Sequence, residues 1–381
     1  MPPPPPVRAL WVTRFEYSSP QEVRQIIHTA SSAGFTDLFF QIRGYGTVFY
    51  KSQLEPWAAE LSGKTDLDPD WDPLKIACKE AGKTGLRLHA YMNVLPGWKG
   101  RLSPSPTNQL WSTHRDWFMV DALGKTMKPP PGWYSFLNPL LPEVQNHLQG
   151  IIKELSAYSI AGIHLDYIRY PYDYKLFVSR AYPQASPKEL QKHAQFSFDP
   201  ATKKKILEKY GNTPTKEQLA QFRRSTIRQL IQQLQKPLQI HQESPLILSA
   251  SILGDPNEAK RFAGQDPAAW LRDQNIDWVV QMNYSPTRFS QRIKLLKKEV
   301  GQRAFRRSVI IGINAGNSLQ DFSKELQEVE TARARGFAIF SYSQLFTPQG
   351  TLTKKGRILL TRIQPSFSTS GSFIQEPLDP E

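Results

Sequence analysis

Ten consecutive residues, Gly162-Ile163-His164-Leu165-Asp166-Tyr167-Ile168-Arg169-Tyr170-Pro171, bring a carboxylate, a guanidinium, an imidazole and two phenols to the end of a short apolar run. Side chains alternate faces along a strand, so Ile163 and Leu165 point one way while His164 and Asp166 point the other. Aliphatic residues on one face and ionisable ones on the other suit a parallel barrel strand, which packs on helices outside and on a polar lumen inside. Asp166 then stands at the strand's C-terminal end, where barrel enzymes place their chemistry. A carboxylate there can act as nucleophile, base or acid, or it can merely cap the next turn or pair with Arg169.

Other strand-like runs also end in polar residues. They finish Gln41-Ile42-Arg43-Gly44-Tyr45, His89-Ala90-Tyr91-Met92-Asn93, Gln281-Met282-Asn283-Tyr284 and Ser341-Tyr342. Together these ends predict a mouth lined by hydrogen-bonding groups for a polyhydroxylated ligand. The candidate binding residues are Gln41, Arg43, Tyr45, His89, Tyr91, Asn93, Trp98, His164, Arg169, Gln281, Asn283, Tyr284 and Tyr342. No glycine-rich phosphate cradle, Ser/His/Asp order or metal-ligand spacing is present, so no cofactor and no metal are expected. Cys78 is the only cysteine, which excludes an intramolecular disulfide and a cysteine-based metal site.

Eight strand-like runs alternate with helical ones, over about Val7–Thr13, Thr36–Ile42, Leu86–Met92, Gly162–Asp166, Leu246–Ile252, Trp278–Asn283, Val309–Ile313 and Phe337–Ser341. Helix starts are marked by Ser19-Pro20-Gln21-Glu22, Asp72-Pro73, Asp266-Pro267 and Thr215 with Gln218. Gly34, Gly85 and Gly336 stand where left-handed helix exits are wanted. Eight such units in order predict an α/β fold, a closed (β/α)8 TIM barrel. The predicted loops leaving strands 2, 3 and 4 are long, about 43–71, 93–138 and 167–215, and long loops in a compact domain usually carry function. The loop after strand 3 holds Trp98, Trp111, Trp117 and Trp133, which either form a small core or offer faces for sugar stacking. The expected organisation is a proline-rich leader over 1–6, a barrel domain over 7–363 with an insertion at about 172–214, and a disordered tail over 364–381.

The net charge is +14, from 48 Lys+Arg against 34 Asp+Glu. That favours an anionic partner or surface. Most of the excess falls on predicted helix faces, and no zinc-finger spacing or Arg-rich arm points to nucleic acid, so no nucleic-acid partner is expected. No run of about 18 apolar residues is present to form a transmembrane segment. The start has no signal-peptide pattern, so the expectation is cytoplasmic as the sequence stands, or exported if an upstream segment is missing.

Arg8-Ala9-Leu10-Trp11-Val12-Thr13, Gln41-Ile42-Arg43-Gly44 and above all Gly162–Pro171 resemble the glycosyl hydrolase-like 10 family, over a span from about Val7 to the eighth strand. The resemblance implies a (β/α)8 fold and hydrolysis of glycosidic bonds in a polysaccharide, with bacterial cell-wall (peptidoglycan-type) glycan as a substrate class among relatives. Many relatives carry a second acid directly after the strand-4 Asp, where this chain has Tyr167. Glycoside hydrolysis ordinarily uses two carboxyl groups. Asp166 is the first candidate. Glu16, between Phe15 and Tyr17, and Asp255, in the turn Leu253-Gly254-Asp255-Pro256, are the candidate partners, with Glu16 favoured as the acid. The alternative is a catalytically inactive barrel that binds anionic glycan through Arg43, Arg169 and the loop tryptophans.

Overall fold

Ten strands are present in the computed structural model, which describes residues 6–100, 108–239 and 245–363. They are β1 (Val7–Val12), β2 (Asp37–Arg43), β3 (Arg87–Asn93), β4 (Pro96–Trp98), β5 (Ser135–Phe136), β6 (Gly162–Asp166), β7 (Ile247–Leu253), β8 (Trp278–Met282), β9 (Val309–Asn314) and β10 (Gly336–Phe340). Eight of them close a parallel barrel in the order β1-β10-β9-β8-β7-β6-β3-β2, while β4 and β5 pair antiparallel outside it. The fold is the expected (β/α)8 barrel. The leader expected over 1–6, apart from Pro6, and the tail expected over 364–381 lie outside the described residues.

Period-two alternation divides the apolar residues into two cores. Val7, Ala9 and Trp11 of β1, Phe39 of β2, Tyr91 of β3, Val280 of β8, Ile310 of β9 and Ala338 of β10 fill the lumen. Their neighbours Leu10, Val12, Leu38, Phe40, Ile163, Leu165, Ile311 and Ile339 turn outward and pack under the helices. Fully burying one such aliphatic side chain is worth about 1.5–3 kcal/mol, which sets each strand's facing without help from the loops.

Gly162 faces the lumen at the bottom of β6. A Cβ there would overlap the carbonyl oxygen of Ile247 and crowd His89 Nδ1, so only glycine lets β6 and β7 close. Gly34 and Gly85 have φ of +80° and +71°, as helix exits require. Gly336 does a different job from the one expected. The left-handed exit residue is Arg333, at φ +55°, and Gly336 begins β10 because a Cβ would collide with the backbone of Val7.

The long loops are built as much from aromatic packing as from chain length. Trp111 stands edge-on to Phe118 at 4.7 Å, Trp117 stacks on His114 at 3.9 Å, and Trp133 stacks on Phe177 at 4.5 Å. The first two contacts brace the loop after β3 internally, and the third ties it to the segment after β6. The segment between β6 and β7 is largely helical, with helices over Pro187–His193, Pro200–Tyr210 and Lys216–Gln235. Ser186 and Thr215 complete capping boxes with Glu189 and Gln218.

A buried ion pair fastens the loops after β2 and β3. Arg43 Nε donates to Glu55 Oε2 at 2.8 Å and Nη2 donates to Oε1 at 2.6 Å, with both side chains 0 % exposed. Arg43 Nη1 donates to the carbonyl oxygens of Asn93 and Val94, and His147 Nε2 lies 2.9 Å from Glu55 Oε1. Burial pushes the Glu55 carboxyl up, but Arg43 and His147 outweigh it and hold it down at about 2.

Since the folded pKa lies below the ordinary 4.5, this contribution to stability is complete above that value and is lost as pH falls from about 4.5 to 2. The shift corresponds to about 3 kcal/mol. Glu55→Gln keeps the shape but leaves the Arg43 charge unbalanced, and should cost about 3–5 kcal/mol at pH 7. Urea midpoints at pH 7, 4 and 3 check both statements: the wild-type decline below pH 4.5 should be shallower in Glu55→Gln. Equal slopes in the two proteins would show that the pair is not the acid-sensitive element.

Candidate active site

Above the aromatic layer of the lumen, at the C-terminal ends of the strands, lies a cavity of about 370 Å3. Asp166 of β6 sits at its base, 6 % exposed. Its carboxylate accepts three hydrogen bonds: Oδ1 from the Tyr167 backbone N at 2.6 Å and from Arg169 Nη1 at 3.3 Å, and Oδ2 from the Tyr91 hydroxyl at 3.0 Å. Every partner is a donor, so each contact places a hydrogen on a carboxylate oxygen.

The Tyr167 amide reaches Asp166 because the chain turns abruptly after β6. Tyr167 has φ +50°, a left-handed conformation that costs a non-glycine residue about 1–2 kcal/mol. Its ring is seated among Tyr134, Phe136 and Trp133, with centroids 5.4, 5.9 and 6.1 Å away, and that packing offsets the backbone cost. The Arg169 guanidinium lies 4.1 Å above the same ring, and its Nη2 is 3.7 Å from Asp173 Oδ2. Burial works against the Arg169 charge, but Asp173 and Asp166 outweigh it and hold its pKa above the ordinary value.

Tyr91 and Tyr284 close the sides of the cavity. Burial, and then the Asp166 charge, push both phenols well above their usual pKa, so each keeps its proton, and Tyr91 donates its own to Asp166. Beneath Asp166, His164 stacks on Phe39 with ring centroids 4.0 Å apart. Trp11 Nε1 donates to His164 Nε2 at 3.1 Å. An indole N–H can only donate, so Nε2 is unprotonated and the ring proton sits on Nδ1, 2.9 Å from Ser249 Oγ. Burial and the neighbouring His89 hold His164 well below its ordinary pKa, so it is a neutral floor.

The opposite wall is a relay from β1 to β3. Arg14 donates to Gln41 Oε1 from its backbone N at 3.0 Å and from Nη1 at 3.3 Å. Gln41 Nε2 donates to Asn93 Oδ1 at 3.2 Å, and Asn93 Nδ2 to the Gly44 carbonyl at 3.0 Å. Arg14 Nη2 also donates to the Tyr134 hydroxyl at 3.0 Å, and Nε pairs with Glu60 at 3.2 Å.

Of the residues singled out in the sequence, Gln41, Tyr91, Asn93, Asp166, Arg169 and Tyr284 line this cavity. The rest lie elsewhere. Arg43 faces Glu55, as above. Gln281 points out of the lumen, where Nε2 donates to the carbonyls of Gly254 and Arg292; Met282 takes the inward place one residue later. His89 lies at the bottom of the lumen, 2.9 Å from Asp37. Asn283 donates to the Phe289 carbonyl, and Tyr342 stacks on Phe346. Tyr45 donates to Glu60 and meets Trp98 edge-on beside Tyr134, outside the cavity lining.

Glu16 accepts from the Thr13 backbone N at 2.6 Å, from Ser341 Oγ at 2.7 Å and from the Ser343 backbone N at 2.7 Å, which ties the ends of β1 and β10 together. Asp255 caps the short helix after β7 by accepting from Asn257 and Glu258 backbone N. Asp166 is the single carboxylate among the described residues that line the cavity. Sequence reading missed Thr13, Arg14, Tyr134 and Ser251, while Ser341, one of the polar strand ends, was left out of the candidate binding residues. Ser249-Ala250-Ser251 does show lumen alternation in the sequence, but Arg14 and Tyr134 come from loops with no such signal. Among the described residues no cluster of His, Cys, Asp and Glu is suited to a metal ion, and no helix is long and apolar enough to cross a membrane.

Glycosyl hydrolase DigH of Escherichia coli (strain K12) is 30% identical over 144 residues, 35% of this chain and 30% of the relative. Glycosyl hydrolase YngK of Bacillus subtilis (strain 168) is 23% identical over 284 residues, 69% of this chain and 49% of the relative. The chain therefore spans less than half the length of each of these relatives. Among solved structures, the PgaB (BpsB) glycoside hydrolase domain from Bordetella bronchiseptica superposes with a TM-score of 0.61 at 13% identity, covering 89% of this chain and 95% of that one. The catalytic domain of beta-amylase from Paenibacillus polymyxa gives 0.63 at 11% identity, covering 94% and 97%. At such identities these two structures establish the shared barrel alone. The family model described as Glycosyl hydrolase-like 10 matches residues 6–327, from the start of β1 into the helix before β10, and the chain belongs to that family.

Proposed function

We propose that the chain hydrolyses glycosidic bonds in a polysaccharide of the bacterial cell-wall, peptidoglycan type, with Asp166 as the ionised carboxylate of the reaction. The observation that carries this reading is the triple-donor cradle of Asp166 at the base of a mouth cavity. An anion fixed there can attack the anomeric carbon, activate a water, or stabilise an oxocarbenium-like transition state. Tyr284 keeps a proton to donate to a sugar hydroxyl, the Gln41 and Asn93 amides each keep a second N–H beyond their internal bonds, and Tyr91, whose proton goes to Asp166, can accept. Family membership supports the reaction class; the curated relatives named glycosyl hydrolases support it as well.

A second reading rests on one specific observation, the single carboxylate lining the cavity. Paired-carboxylate catalysis needs a second group about 5–10 Å from the first. Glu16 and Asp255 remain the proposed partners, and Glu60, bound to the cavity's Arg14, joins them. Without a competent partner the barrel would bind glycan and leave it intact. Arg14 and Arg169, rather than the buried Arg43, would then make the cationic contacts.

Asp166→Asn keeps size and most hydrogen bonds but removes the charge. Release of new reducing ends from purified peptidoglycan glycan strands should fall by about 100-fold or more with binding retained, while the weakened pairing with Arg169 costs about 1–3 kcal/mol of stability, so rates are compared where both proteins are folded. A wild-type protein that binds the strands and releases nothing would select the second reading.

Glu16→Gln separates structure from chemistry at that position. Its three donors predict a stability loss of about 1–3 kcal/mol. Thermal unfolding and single-turnover rates on one preparation give the answer. A rate loss of 1,000-fold at unchanged melting temperature, against about tenfold or less for Asp255→Asn and Glu60→Gln, would assign Glu16 as the acid.

A further inference from the structure

The helical segment between β6 and β7 carries a second concavity, away from the barrel mouth. Two adjoining hollows of about 830 and 670 Å3 share Gln195, Phe196, Arg223 and Phe262 as lining residues. Each volume lies within the roughly 300–1,000 Å3 of small-molecule sites. The floor is aliphatic and aromatic, with Ile206, Leu207, Leu219 and Phe222 facing the larger hollow. Leu207 is 50 % exposed and Phe262 39 %, so apolar surface faces water here without a partner.

The charge on this floor has one sign. Lys203, Lys204, Lys216, Arg223 and Arg261 line the larger hollow, and no carboxylate does so among the described residues. Lys204 reaches Glu208 at 4.0 Å, while Lys203, Lys216, Arg223 and Arg261 form no ion pair among the described residues. The acid that Arg261 feels is Glu217, which is already paired with Arg224 at 2.7 Å. Arg223 stands where the two hollows meet, and the contact it makes is with the Tyr170 ring, 5.7 Å from the centroid. Burial lowers its pKa, with Tyr170 opposing. A half-buried guanidinium without a carboxylate is a costly arrangement unless an anion completes it.

We propose that this groove is a binding site for an aliphatic phosphate, an apolar chain lying on the floor with its phosphate held by Arg223 and the surrounding cations. Several uncompensated cations around one forked guanidinium suit a dianionic phosphate better than a single carboxylate. A peptide would bring a row of backbone N–H and C=O groups that an apolar floor cannot satisfy. A bilayer surface needs apolar side chains that protrude, and these line a hollow. The inference is independent of the glycan reading, since it uses no residue of the mouth cavity.

The test is calorimetric titration of the full chain with dodecyl phosphate below its aggregation concentration. One saturable site is expected, with dodecanol about tenfold weaker or more and inorganic phosphate alone showing no measurable heat. Arg223→Gln should weaken dodecyl phosphate by about tenfold or more at unchanged melting temperature. Arg261→Gln, at a more exposed position, gives the same direction should the first variant unfold. Equal affinity for dodecanol, equal affinity for dodecanoate, or unchanged binding in both variants would overturn the assignment. So would binding to anionic phospholipid vesicles in the absence of any binding to the monomeric amphiphile.

Discussion

Every strand of a closed parallel barrel must satisfy two different surroundings at once, a lumen on one side and a shell of helices on the other. The period of two then decides which side chains can reach a ligand. In β6 the parity puts His164 and Asp166 inward and Ile163 and Leu165 outward, so the carboxylate arrives at the mouth because two aliphatic side chains are buried behind it. The same parity turns Gln281 away and brings Met282 to the cavity. Polarity at a strand end is therefore half of the information about a site. The other half is the register of the apolar residues beside it.

The loops obey a different rule. Their positions are set by a few buried polar attachments, each of which must be fully paired because an unmatched partner in the interior costs several kcal/mol. Arg43 shows why this is hard to read in a sequence. It continues the inward parity of Gln41, but the register slips between residues 41 and 43, and Glu55 lies twelve positions later in a loop. The guanidinium is drawn into that pair and onto the carbonyls of Asn93 and Val94. The consequence for the site is indirect: Asn93, whose carbonyl Arg43 holds, is the residue that accepts from Gln41 in the cavity wall.

The barrel, its eight strands and the helix starts were legible because they rest on local signals: alternation, caps and proline at first helical positions. Six of the expected mouth residues line the cavity for the same reason. What was not legible depends on tertiary partners. Arg14 follows β1 with no periodic mark, and its place is settled by Gln41, Tyr134 and Glu60, which are 27, 120 and 46 residues away. The loop tryptophans carried an ambiguous signal, since stacking on a sugar and stacking on His114 or Phe177 demand the same side chain. Glu16 is similar: a carboxylate between aromatic residues in a sequence, and an acceptor for two backbone amides and a serine in the fold.

The distribution of charge bears on both sites. The mouth cavity is nearly balanced, because Arg169 is met by Asp166 and Asp173, and Arg14 by Glu60. A net charge of +14 is thus a poor guide to what the cavity takes. Uncompensated cations gather instead on the helical segment after β6, around a floor too apolar for a sugar chain to satisfy its hydroxyls. On the proposed reading, a donor-rich cavity would suit the hydroxyls and amides of a glycan, and its one carboxylate would meet the positive charge that develops at the anomeric carbon. Whole-molecule charge can still raise the rate of encounter with an anionic polymer. On that same proposal, discrimination at the bond to be cut would fall to Asp166 and the phenols around it.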